Sequence, residues 1–505
     1  MSGLTIRNKF LSFVVCIGLL VIAFNLYQLH LMRCQLVGEY YKGRYSGSVV
    51  DDMSEKRMKK PPVVWIHGNK KGILDQVRIV FEKLGFAVSS GETDWDVFWA
   101  FEYPFVGNMS RPMIQLKPHQ MVNHFPGTVY ITNKASLSFV HKDYVPKTFI
   151  MPRHKKELLQ YAAEYPDKRW IKKNIFHRGI KIIELNELEL TSEKYIVQEF
   201  VDNPLLIEGR KFDIGVYTVL TSLSPLRVYI INDEHSIRFC LNTYHPFDPL
   251  DVDKYVIKEN YIPIWKNPPF HDYYNNRKFS IKESFSRYMT SQGENVSTMW
   301  SDIHEMIREV FLMHQTNMMA MGTNFNFSRN CFELYRFDFI MDDQMKVHLI
   351  KVNFSPSLFT GHFKDDKRLY QHVVYNVLRV SRVASMVDNH FHNSDDDTNN
   401  MISADRDVMV FSDWCSDCHQ CETIKCMLCK QCLNSQQLVE IKDAYLEHYN
   451  RGGCKRIFPP ELNQIDALNW TPESDIYELG KYSDENRLIF VWFIGMCRKD
   501  VTFCS

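Results

Sequence analysis

The chain has 505 residues, 45% hydrophobic and 24% charged, with 60 Lys and Arg balanced against 60 Asp and Glu. That length holds two or three domains, and the composition is that of an ordinary globular protein. Zero net charge excludes the chain-wide basic field of a nucleic-acid binder, so an acidic partner has to meet a local patch. One such patch is Arg153 to Lys181, which carries nine Lys and Arg.

The chain begins with an apolar run. Phe10 to Met32 contains no charged residue. At about 1.5 Å per residue a segment of that length spans a hydrocarbon core of roughly 30 Å. Residues 1–33 are therefore expected to be an uncleaved transmembrane anchor, touching the membrane through residues 10–32 of a single-pass protein. Arg7 and Lys9 precede the span, and Arg33, Lys42 and Arg44 follow it. The charge rule leaves orientation open, with the body cytosolic or lumenal. Residues 34–60 are polar and read as a stem.

Folding restarts at Pro61. Val63–His67 reads as a strand, Ile73, Val77, Val80, Phe81 and Leu84 mark one face of a helix ended by Gly85, and Ala87–Ser89 begins a second strand. This β–α–β start predicts an N-terminal α/β domain over residues 61–150. A β-rich middle follows, with strands expected at Arg169–Lys173, Lys181–Leu185 and Tyr195–Val201, and a hairpin at Val216–Thr221 and Arg227–Ile231. Thr298–Met321 is an amphipathic helix with Ile303, Met306, Ile307, Val310, Phe311 and His314 on one stripe. Phe332–Met341 and Met345–Val352 form a second hairpin, and Asp366–Val383 a further helix. Residues 386–405 are polar and read as a linker.

Residues 406–505 form a cysteine-rich C-terminal module. Six of the chain's 13 cysteines lie at Cys415, Cys418, Cys421, Cys426, Cys429 and Cys432. The paired C-x-x-C spacing suits Zn²⁺ in a reducing compartment and disulfides in an oxidising one. Sequons stand at Asn108, Asn295, Asn326, Asn353 and Asn469.

The second hairpin carries the chemistry. Asp338 lies on its first strand and Asn353 just beyond its second, which brings two oxygen donors to one end of a sheet, as Mg²⁺ requires. The hairpin resembles the metal-binding hairpin of the tubulin–tyrosine ligase-like family, where the pattern is Glu-Val-Asn and this chain has Lys351-Val352-Asn353. The motifs Asp94–Trp99, Gln120–Gly127 and Thr132–Leu137 are similar in order and spacing to the family's N-terminal domain. The run Asp202–Asp213 follows the family closely, and Arg227–Tyr229, Arg238-Phe239 and Tyr244–Pro246 continue the resemblance. Where glutamylating members carry a His-Leu-Thr-Asn-Tyr-Ser-like segment, this chain has Lys258–Ile262.

The resemblance covers about residues 62 to 385. It implies an α/β (α+β) ATP-grasp ligase, with its central and C-terminal lobes in residues 151–385. It further implies ATP and Mg²⁺ as cofactors and tubulin, through its acidic tails, or another acidic protein as acceptor. Lys173 is the expected strand-end phosphate lysine, and Arg178 and Gly179 belong to the phosphate loop. Gln198, Glu199, Phe200 and Val201 form the adenine hinge. Lys211 and Asp213 are the expected catalytic pair facing the phosphates, and Asp338 and Asn353 the metal ligands. The implied chemistry moves the γ-phosphate to an acceptor carboxylate, after which an amino-acid amine, that of glutamate, attacks the acyl-phosphate.

Two departures open an alternative. Lys351 stands where a carboxylate is expected, and Gly215 where the family places an arginine two residues beyond Asp213. A catalytically inactive member that keeps the fold as an ATP- or partner-binding module would carry such changes.

Overall fold

Val63–His67 (β1) is the strand that its β-branched run predicts, followed by helix α1 at Asp75–Leu84 and strand β2 at Ala87–Ser89. The structure, a computed structural model, describes residues 60–505 except 90, 92–93, 140–143, 175–178, 188–194, 324–328, 388–409, 419–420, 422 and 475. α1 buries Val77, Val80 and Phe81. Gly85 closes it at φ 99°, a left-handed turn that glycine adopts without a Cβ penalty. Strands β3 (Val97–Ala100) and β4 (Met121–Val122) complete a parallel sheet ordered β2-β1-β3-β4.

A second sheet stands apart. Strand β5 (Thr148–Met151), helix α2 (Lys155–Glu164) and strands β6 (Trp170–Asn174), β7 (Ile180–Ile183) and β8 (Tyr195–Glu199) give an antiparallel order β5-β8-β6-β7. Alternation along the strands sends Phe149, Trp170 and Val197 into a core under α2. Ile171, on the other face, packs with Phe200, Tyr244 and Tyr255.

The third sheet has eight strands. They are β9 (Leu206–Ile207), β10 (Arg210–Leu223), β11 (Leu226–Ile231), β12 (Ser236–Phe239), β13 (Ile262–Pro263), β14 (Glu333–Met341), β15 (Val347–Phe354) and β16 (Cys454–Phe458). β10 is its spine. It pairs with β12 and then β11 along one edge, and with β9 and then β14 along the other. Helices α3 (Ile281–Ser291), α4 (Val296–Gly322) and α5 (Asp366–Val380) bring apolar faces to the core, and α4 buries Ile303, Met306, Ile307, Val310, Phe311 and His314 as its stripe predicts. Gly127 lets the N-terminal domain approach α4, since a Cβ there would lie 2.8 Å from the Met318 Cα.

The C-terminal residues share this sheet. β16 pairs antiparallel with β11, more than two hundred residues earlier in the chain. Helix α6 (Ser435–Asn450) faces β11 through a buried ionic cluster. Arg227 donates to Glu440 (3.0 Å) and Glu447 (2.9 Å), and Thr221 and Tyr229 donate to the same Glu447 oxygen. Helix α7 (Asp484–Lys499) is buried over Leu488–Cys497. The six clustered cysteines are joined as Cys415–Cys429, Cys418–Cys426 and Cys421–Cys432, and Cys497 is joined to Cys504. The zinc alternative is thereby corrected: each of those sulfurs is consumed in a disulfide.

The expected anchor, residues 10–32, lies outside the described residues. Among the described residues no helix is long and apolar enough to cross a membrane. The longest of them, α4, keeps Ser301, Glu305, Thr316 and Asn317 on an exposed face. The expectation of a single-pass membrane localisation is corrected to that extent: no described helix supports it.

Candidate functional site

Strand register assembles the site on one face of the large sheet. Asp213 lies opposite Arg238, Gly215 opposite Asp338, and Asp338 in turn opposite Lys351. One rung along, Tyr217 lies opposite Arg336, and Arg336 opposite Asn353. Residues two apart on a strand share a face, so these side chains meet.

Both carboxylates are gripped. Arg238 forks onto Asp213 with contacts of 2.8 and 2.6 Å. Arg336 forks onto Asp338, Nε to Oδ1 at 2.7 Å and the second nitrogen to Oδ2 at 3.1 Å. Asp338 Oδ2 also accepts from the Asn353 amide at 2.9 Å and lies 3.3 Å from Arg238. Burial pushes the Asp338 carboxyl up, but Arg336 and Arg238 outweigh it and hold the group well below the usual carboxylate range. The Asp213 carboxyl is raised, first by burial, with Arg238 opposing and Asp338 adding to the rise.

Ammonium groups line the approach. Lys173 is buried near the end of β6, one residue before its last, and donates to Gln198 Oε1 at 2.5 Å. Its pKa falls to about 7, first through burial and then through the fields of Lys211, Lys134 and Lys351. Lys134 donates to the Asn174 carbonyl at 2.7 Å. Lys211 lies 4.9 Å over the Phe200 ring, and burial lowers its pKa. The exposed Lys351 is lowered first by loss of surrounding water, with Asp338 opposing and Arg336, Arg238 and Lys134 adding.

The expected hinge lies at the end of β8, but its side chains are committed. Gln198 receives Lys173 and donates to Thr148, and Glu199 pairs with Lys168. The Phe200 N–H bonds the Arg169 carbonyl, and Val201 follows it, half-buried. Arg178 falls outside the described residues; Gly179, just after it, leads into β7.

The Mg²⁺ implied by the family resemblance can be tested against this donor set. Asp338 offers no oxygen that is not already bonded to a cation, and Asn353 turns its N–H toward Asp338 and the Arg336 carbonyl. The third expected ligand is the ammonium of Lys351. A divalent ion about 4 Å from an ammonium meets a repulsion of about 8 kcal/mol at an effective dielectric of 20. The residues present do not fit Mg²⁺. Among the described residues no group of three or more His, Cys, Asp or Glu is arranged to hold any metal.

Sequence reasoning missed Arg336. The signal was its place two residues before Asp338 on one strand, which puts both on one face. It also missed what Glu333 does. Fully buried, Glu333 accepts from the Phe125 N–H and the Tyr335 hydroxyl and shares a proton contact of 2.8 Å with His124. That network ties the Gln120–Gly127 motif to the first residue of β14.

The family model described as the tubulin-tyrosine ligase family matches residues 113–391. The chain is 36% identical to the probable tubulin polyglutamylase ttll-15 of Caenorhabditis elegans, over 89% of this chain and 88% of that protein. It is 26% identical to tubulin polyglutamylase TTLL7 of Mus musculus, over 81% of this chain and 48% of that one. Against the probable alpha-tubulin polyglutamylase Ttll1 of Tetrahymena thermophila the identity is 28%, over 57% and 78%. A family match over more than half the chain, joined to a relative of this identity and coverage, means that the chain belongs to the tubulin–tyrosine ligase family.

Proposed function

We propose that this chain is an ATP-dependent ligase that adds glutamate to side-chain carboxylates of tubulin or of another acidic protein. The observation that carries the reading is the placement of Lys211 two residues before Asp213 on β10 and of Lys351 directly across from Asp338, with Arg238 and Arg336 gripping the two carboxylates. Ammonium groups in a partly dehydrated cleft favour a polyphosphate and stabilise the charge that develops when phosphoryl transfers. Relatives named as tubulin polyglutamylases support glutamate as the donor and tubulin as the acceptor. Lys173 and Lys211 hold phosphate oxygens in this reading. Arg238 orients Asp213 toward the acceptor side, and the Phe200–Val201 turn receives the adenine edge.

The test is ATP-dependent incorporation of labelled glutamate into tubulin by the full chain, with Lys211→Ala as control. Incorporation that disappears in Lys211→Ala supports the reading. A second reading, a family member that binds ATP or a partner without turnover, is favoured by the saturation of Asp338. ATP binding without incorporation would select it.

A further inference from the structure

The two departures from the family pattern are joined by one piece of geometry. Arg336 reaches Asp338 across the position of Gly215: a Cβ there would lie 2.8 Å from the Arg336 Cδ and 3.1 Å from its Nε. Any larger residue at 215 therefore excludes the guanidinium from its seat. Lys351, the other departure, stands directly across the strand pair from the same Asp338. The family's arginine is lost from β10 and a guanidinium enters from β14. The family's carboxylate is lost from β15 and an ammonium replaces it.

These exchanges leave Arg238, Arg336 and Lys351 around Asp213 and Asp338, with Lys211 two residues before Asp213 on the same strand. A divalent ion in a phosphoryl-transfer cleft serves to neutralise and bridge phosphate oxygens. Here that work falls to fixed protein cations. Arg336 spends its Nε and one terminal nitrogen on Asp338 and keeps its remaining N–H groups for a phosphate oxygen, and Lys351, exposed across the strand pair, supplies a point charge.

We propose that the cleft grips the triphosphate of a nucleotide without a divalent metal, Lys351 and Arg336 standing where the metal would lie. This deepens the function proposed above and rests on its nucleotide cleft. The grip is strongest in the absence of Mg²⁺ or indifferent to it, because free Mg²⁺ competes with the protein cations for the phosphates.

The experiment is calorimetric titration of the full chain with ATP, once in EDTA and once in MgCl₂ at matched ionic strength. The expected result is binding in EDTA with an affinity within about threefold of that in Mg²⁺ or tighter. Lys351→Met is expected to weaken the EDTA arm by about tenfold or more while leaving the thermal midpoint unchanged. Binding that needs Mg²⁺ by about tenfold or more would overturn the metal-free grip and leave the ligase reading standing. Undiminished EDTA binding by Lys351→Met would overturn the assignment of Lys351. Absence of binding in both arms would overturn the grip and the nucleotide cleft together.

Discussion

Substituting Gly215 by alanine isolates the contact on which the site is built. The new Cβ would meet the Arg336 Cδ at 2.8 Å, its Nε at 3.1 Å and Asp338 Oδ1 at 3.2 Å. The β10 backbone is held on both edges, so relief comes from the Arg336 side chain swinging off Asp338. That movement breaks the contacts of 2.7 and 3.1 Å. Hydrogen bonds to charged groups contribute about 1.5–3 kcal/mol each. Asp338 retains Arg238 and Asn353, which limits the loss, and alanine offsets about 0.4–1 kcal/mol by restricting the unfolded chain. The net expectation is a destabilisation of about 2 kcal/mol. Denaturant unfolding of Gly215→Ala, Arg336→Ala and the double variant forms a cycle. In the Arg336→Ala background only the 3.2 Å approach to Asp338 Oδ1 remains, so Gly215→Ala should be close to neutral. Additive losses, within about 0.5 kcal/mol, would refute the claim that Gly215 exists to seat Arg336.

Arg227→Ala leaves Glu440 and Glu447 buried without their cation. A loss of about 3–5 kcal/mol is expected in denaturant unfolding, and one below about 1 kcal/mol would contradict the buried-cluster reading. Asp366 is buried, and burial raises its pKa from the ordinary 3.8 to about 6, with the Tyr370 and Tyr261 hydroxyls opposing. A carboxyl raised on folding contributes stability at low pH that is lost as pH climbs from about 4 through 6. Asp366→Asn should therefore flatten the stability profile in that window and stabilise the protein above it, by up to about 3 kcal/mol. Lys173, lowered to about 7 by burial and by its lysine neighbours, is mostly neutral at pH 8 and should take up a proton when a triphosphate arrives. Calorimetry in buffers of different ionisation heat reads that uptake, and Lys173→Arg should abolish it. Reduction of the disulfides among Cys415, Cys418, Cys421, Cys426, Cys429 and Cys432 should lower the thermal midpoint, since removing a native disulfide costs about 2–5 kcal/mol. An unchanged midpoint in reductant would mean that the segment carries no stability.

Much of the framework was legible because local pattern and tertiary role coincide. The β1–α1–β2 start, the stripe of α4 and the hairpin of β14 and β15 announce themselves through period, turn residues and length. Lys173, Asp213, Asp338 and Asn353 could be placed from motif order and are brought to one region. Other features are invisible locally. β16 is a five-residue run whose partner, β11, lies far upstream, and no spacing rule reports such a pairing. C-x-x-C spacing fits zinc and disulfides alike, and only the folded pairing separates them. The meaning of Gly215 and Lys351 was open for a similar reason. Each reads alone as a lost catalytic group, and only the register sets both beside Asp338. The anchor expected over residues 10–32 rests on apolar length alone, and no described helix has that character.

The most direct measurement is a crystal structure of the full chain grown with ATP and Mn²⁺, with anomalous data collected for manganese. The cation-filled cleft predicts triphosphate density against Lys173, Lys211, Arg336 and Lys351 and no anomalous peak beside Asp338. A manganese peak coordinated by Asp338 and Asn353, with Arg336 turned away, would contradict it.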